Sequence, residues 1–257
     1  MHPSRTIAAL LAALSIALPA TAAESDPHHH DHHEDAVQSG LAAPALLAGM
    51  DATAPSLIAE YELRTRDGSA PWSAAIKVRF VRSDNRLVIE QSDFAESWQR
   101  VDNGFEFERV FHADRRTVEY APGELRTLHI EPDWAVLRAG LDRGTLAGLK
   151  AAAHRKGPHG ETVRYARKNG STSVTLDWLP RHQLPERLER VAGKRRSELK
   201  LAGIRPFDAA ALAALDARRD SYLRIDASDF GDMEGDPFVQ KVSGLDVLRG
   251  WRAAHTH

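Results

Sequence analysis

Two stretches of the chain concentrate side chains able to hold metal ions. The first, ESDPHHHDHH, packs five histidines and three acids into ten residues. His28, His29, His30, His32 and His33, with Asp26, Asp31, Glu34 and Asp35 beside them, supply neutral imidazoles and carboxylates suited to zinc, nickel or copper. A flexible tract sets no coordination number, so such a site would be labile and heterogeneous; the plainer alternative is a solvated tail. The second stretch, IDASDFGDMEGDPF, places Asp226, Asp229, Asp232, Glu234 and Asp236 within eleven residues, with no basic residue among them. Gly231 and Gly235 permit the chain reversals that would turn these oxygens onto a hard cation, calcium or magnesium, although the spacing is not that of a twelve-residue calcium loop. Capped turns or a solvent-facing acidic loop are the alternative. A hydrolase using two of these carboxylates as acid and base is a further reading, but no nucleophile or positioned histidine accompanies them.

The remaining histidines are more ordinary. His154 and His159 stand five apart with Pro158 between them, which breaks any helix that would align them, so a surface loop is expected. His112, His129 and His182 sit singly near strand ends or turns, and His255 and His257 could join a loose metal site in a polar end.

The chemistry is expected outside the cytoplasm. MHPSRTIAALLAALSIALPATAA reads as a secretory leader over residues 1–23, with Arg5 at its positive end, an apolar run and small residues at the cleavage point. The run is too short for a comfortable bilayer span, and no transmembrane span is expected in the mature chain. The chain has no cysteine, which removes disulfides, thiolate metal sites and a lipid-anchoring cysteine. A net formal charge of −2, with both signs interspersed, offers no broad field for nucleic acid. The periplasm or the exterior is the expected location.

Four regions follow from composition. After the leader, residues 24–54 read as a histidine-rich tether and linker, with a short helix near Ala45 to Met50; residues 55–245 as one domain; and residues 246–257 as a tail. Within the domain, EYELRTR, AAIKVRFVR and RLVIEQ alternate with the two-residue period of half-buried strands. In GFEFERVFHAD, Phe105, Phe107 and Arg109 share one face, while Glu106, Glu108 and Val110 share the other. RRTVEYA and ELRTLHI read as short strands around Pro122-Gly123. Asp133 then caps a helix carrying Trp134, Leu137 and Leu141, and Leu146, Leu149 and Ala153 form a second helical stripe. Strands resume as two hairpins, the first turning at Asn169-Gly170, and a helix spans Asp208 to about Ser221. The result is an α+β fold: a single curved, predominantly antiparallel sheet or half-barrel with a few packed helices.

The segment TLDWLPRHQLPERLERVAGKRRSELKLAGI resembles the strand, proline, short loop, leucine-proline, strand, turn, strand pattern of the periplasmic lipoprotein-carrier-like (LolA-like) superfamily, and the order from YELRTRDG onward extends that resemblance over about residues 55–205. The resemblance implies a half-open barrel wrapped around a helical lid that shelters acyl chains, with a lipid or other apolar small molecule, or a cell-envelope protein, as partner. Trp72, Phe80, Trp98, Phe105, Phe107, Trp134 and Trp178 are then candidates to line an apolar pocket, or else to fill a solid core. A non-catalytic metal-binding or envelope interaction protein remains the alternative.

Overall fold

The computed structural model describes residues 46, 47, 49, 50 and 54–252. The leader and the histidine tract, His28 to His33, lie outside the described residues, as do His255 and His257. Twelve strands form one open sheet in the order β12-β6-β5-β4-β3-β2-β1-β11-β10-β9-β8-β7. In chain order they are β1 (Leu57–Asp67), β2 (Ile76–Arg82), β3 (Arg86–Glu90), β4 (Phe94–Val101), β5 (Gly104–Phe111), β6 (Arg116–Tyr120), β7 (Lys150–Gly157), β8 (Gly160–Asn169), β9 (Thr172–Leu179), β10 (Leu184–Ala192), β11 (Arg195–Pro206) and β12 (Leu223–Asp226). All neighbours pair antiparallel except β12, which runs parallel to β6. The fold is the expected α+β class. Among the described residues no helix is long and apolar enough to cross a membrane.

Register explains why one face became the core. Tyr165, Leu176, Leu188, Leu199, Leu63 and Ile76 stand opposite one another in succession across β8, β9, β10, β11, β1 and β2. A row of this kind buries apolar side chains against their cross-strand neighbours, and a one-residue slip in any strand would turn its whole set outward. The Asn169-Gly170 hairpin sets that register at one end, with Gly170 in the left-handed region at φ +55°.

Among the described residues, the helices after β1 are α1 (Pro122–Thr127), α2 (Trp134–Arg138), α3 (Arg143–Leu146), α4 (Ala209–Arg219) and α5 (Pro237–Leu248), with a 3-10 turn at Ala227–Gly231. Asp133 caps α2 by accepting from the Val136 amide at 3.3 Å, as its position suggested. Two local expectations are corrected. ELRTLHI is not a strand: Pro122 stands at the start of α1, where its missing N–H costs nothing. The stripe through Leu146, Leu149 and Ala153 is not one helix either, because Gly148 adopts φ +68° and the chain leaves α3 to enter β7.

The segments expected as linker and tail reach the core. Leu46 (2% exposed) and Met50 (8%) belong to the main apolar cluster. At the other end α5 runs past residue 245, Asp246 is fully buried and Trp251 packs on the same cluster.

Candidate functional site

Alternation along β2, β4, β5 and β9 sends Phe80, Trp98, Phe107 and Trp178 to one face of the sheet, and α2 lowers Trp134 onto it. Phe105, half-buried, packs against the same cluster. Thus six of the seven candidate aromatics belong to one apolar cluster on that face. Trp98 and Phe107 lie 4.2 Å apart between ring centroids, and Phe105 meets Trp134 at 5.6 Å. Trp72 is the exception: it sits in the β1–β2 loop beneath the guanidinium of Arg66, 4.9 Å from its ring centre. The covering helices approach closely. At the end of α2, Gly140 has φ +68°, and a Cβ there would stand 3.2 Å from Phe80 Cε2.

This apolar face carries a charged assembly around Arg109, for which the only sequence signal was an arginine sharing a face with two phenylalanines. Arg109 is fully buried, as is Asp246. Arg109 donates through Nη1 to Asp246 and through Nε to Glu96 at 3.3 Å. The Tyr120 hydroxyl donates to Asp246 Oδ2 at 3.0 Å, Arg249 binds Glu96 at 2.7 Å and Arg252 binds Asp246 at 3.3 Å. The Trp251 ring lies 4.6 Å from the Arg109 guanidinium. Burial alone would lower the Arg109 pKa, but Tyr120, Asp246 and Glu96 together raise it above the ordinary value. Burial pushes the Tyr120 phenol up, with Asp246 adding to the shift and Arg109 opposing it. Nη2 of Arg109 and Nε of Arg249 are buried without hydrogen-bond partners. The assembly ties α5 to β4, β5 and β6.

A second buried arginine closes the other side of the same face. Arg82, at the end of β2, donates to four backbone carbonyls: Pro55 at 2.9 Å, Arg138 at 2.8 Å, Gln183 at 3.1 Å and His182 at 2.6 Å. Arg138 in turn donates to the carbonyls of Ala54 and Asp84. Burial and the neighbouring Arg138 lower the Arg82 pKa to about 10, with Tyr61 opposing. One guanidinium thus joins the entry to β1, the end of α2 and the β9–β10 loop. It fixes the chain immediately after the segment that delivers Leu46 and Met50.

The acidic stretch has a different arrangement. Asp226 accepts from the Ser228 amide at 2.9 Å and Asp236 from the Phe238 amide at 2.7 Å, so these two carboxylates cap the 3-10 turn and α5. Asp236 also pairs with Arg116 at 2.9 Å, and the cap and the arginine hold its pKa below the ordinary carboxylate value. Asp229, Asp232 and Glu234 are exposed. Among the described residues, no group of three or more histidine, aspartate or glutamate side chains is placed to hold a metal ion. His112 is structural in form: its Nδ1 lies 3.1 Å from the Tyr222 hydroxyl, and its Nε2 lies 3.5 Å from Glu90.

No family model matches the chain, and no curated protein does. Solved structures do. The chain is similar to an uncharacterized conserved protein from Thermus thermophilus, at 11% identity and TM-score 0.45 over 71% of this chain and 97% of that one. It is similar to PNGF-II at 11% identity and TM-score 0.40 over 69% of this chain, and spans 33% of PNGF-II's length. A LolA superfamily protein from Nitrosomonas europaea is also among the structures it resembles, at 8% identity and TM-score 0.30 over 65% of this chain and 94% of that one.

Proposed function

We propose that the chain is a carrier-like or accessory protein of the periplasm or cell exterior, and that it shelters a lipid acyl chain or another apolar ligand on the aromatic face of its sheet. The observation that supports this reading is the makeup of the cover over that face. The helices α1, α2 and α3 are only four to six residues long, and Leu46 and Met50 from the segment before β1 are buried in the same apolar cluster. Fully burying one such side chain stabilises by about 1.5–3 kcal/mol. An acyl chain that buries about eight methylenes, at about 0.8 kcal/mol each, offsets both. Exchange of the two residues for a ligand is therefore energetically accessible, with the aromatic face left in place.

The experiment is lipid extraction and mass spectrometry of the protein purified from its native compartment. Co-purification of one apolar class, lost on Phe80→Asp or Trp134→Asp, supports the reading. A protein that retains no apolar molecule and takes up none from detergent-dispersed fatty acid defeats it. The histidine tract stands apart as a proposed labile zinc, nickel or copper site: a chain beginning at residue 37 should lose the strongest transition-metal signal in titration calorimetry and keep its thermal midpoint.

A further inference from the structure

We infer that β7 is a docking edge for an acidic, extended peptide segment of a partner protein, which adds to the sheet as a further strand. Among the described residues β7 ends the strand order with β8 as its one neighbour, so one row of its backbone amides and carbonyls has no described strand beside it. The opposite edge, β12, is half as long, at four residues against eight. Along β7 nearly every residue is exposed, on both faces of the strand. Ala151, Ala152 and Ala153 leave the backbone of its first half unobstructed by long side chains.

Charge identifies the occupant. Lys150, His154, Arg155 and Lys156 project from this strand, and among the described residues none of Lys150, Arg155 and Lys156 has a carboxylate within ion-pairing distance. On other strands Arg64, Arg79, Arg164, Arg187 and Arg196 each have an acidic partner within 4.0 Å, whereas among the described residues Lys77, Arg195, Lys200 and Arg205 have none. The chain as a whole is slightly acidic, whereas β7 carries Lys150, His154, Arg155 and Lys156 and no carboxylate. Two β7 edges pairing with each other would set lysine and arginine opposite lysine and arginine, which is destabilising. An acidic strand meets attraction at the same positions, and strand addition takes affinity from the backbone and selectivity from the side chains.

The bulge in β7 supplies a variant that separates charge from backbone. Register passes from Ala151 opposite Tyr165 directly to Ala153 opposite Arg164, so Ala152 is the unpaired residue, where proline is tolerated by the existing ladder. The probe is a fluorescent octapeptide of alternating glutamate and valine, with its lysine-valine counterpart as control, titrated by anisotropy at low salt. The acidic peptide alone should bind. The triple variant Lys150→Glu, Arg155→Glu, Lys156→Glu should weaken it about tenfold or more. Ala152→Pro, which keeps every charge, should weaken it severalfold, and binding to the unaltered protein should slow hydrogen exchange of the β7 amides. No binding of the acidic peptide overturns the inference. So does binding with unchanged exchange and indifference to Ala152→Pro, which would mean charge contact without strand addition. Preferential binding to phosphatidylglycerol vesicles over the peptide overturns it in favour of a membrane surface.

Discussion

The two faces of the one sheet are held to their helices by different physics. On the aromatic face a continuous apolar cluster runs from β8 to β6, and its buried guanidinium groups find partners: Arg109 in Asp246 and Glu96, Arg249 in Glu96, and Arg82 in four backbone carbonyls. On the opposite face the apolar contacts are small, with Ile58, Val81, Val88 and Leu215 in one group and Ala95, Val110 and Tyr222 in another. Around them α4 meets the sheet through charge. Arg86 binds Asp216 at 2.8 Å and Arg218 binds Glu90 at 3.2 Å, while Arg224 of β12 binds Glu108 of β5 at 2.7 Å beside them. Arg219 is only 3% exposed, yet none of its three guanidinium nitrogens makes a hydrogen bond; Glu108 and Asp216 stand 3.7 and 3.9 Å away. A burial that leaves donors unmade contributes little net stability. The aromatic face therefore carries the fold, while α4 is an element the sheet can loosen without losing its core.

Removing charge from each face tests that contrast most sharply. Arg109→Met leaves Asp246 buried without its main partner and should cost about 3–5 kcal/mol in urea unfolding. The double variant Arg109→Met, Asp246→Leu should recover most of that loss, since no uncompensated charge remains. Gly140→Ala comes next. It forces a side chain into the left-handed region and against Phe80, and should cost about 1–3 kcal/mol with no change in net charge. On the opposite face, Arg219→Met should shift stability by less than about 1 kcal/mol in either direction. If Arg219→Met costs as much as Arg109→Met, the two faces are equivalent and the comparison fails.

The smallest expected effect is pH dependence at the closed end of the aromatic face. His182 has its pKa lowered by burial first, then by Arg181, Arg82 and His159. The unfolded chain therefore binds a proton at higher pH than the folded one, and stability from this group is present above about pH 6.5 and lost as pH falls through the lowered folded value. His182→Gln should flatten that limb of the stability profile between about pH 7 and 5. An unchanged limb would assign the acid sensitivity elsewhere.

Strand alternation, turn residues and caps are local properties, and they were legible. The face-sharing of Phe105, Phe107 and Arg109 against Glu106, Glu108 and Val110 follows from the two-residue period, and the Asn169-Gly170 turn and the Asp133 cap follow from the chemistry of single side chains. Helix α5 was not legible. Residues 239–245 read as no element and the chain from 246 as a tail, until Asp236 is seen capping the helix and Phe238, Val242 and Leu245 are seen packing on the sheet. Strand β7 was obscured in the same way, because AAAHRKG has no alternation and becomes a strand only through its ladder with β8.

The candidate site divides along the same line. That Phe105 and Phe107 would share a face was contained in the sequence. That Leu46, Met50 and Asp246 would join them, and that Arg82 would gather four carbonyls from segments as much as 101 residues away, was decided by tertiary structure alone. Periodicity records which neighbours along the chain share a face. It carries no information on which distant segment satisfies a buried donor, because that choice is made by the whole set of groups competing for burial once the sheet has formed.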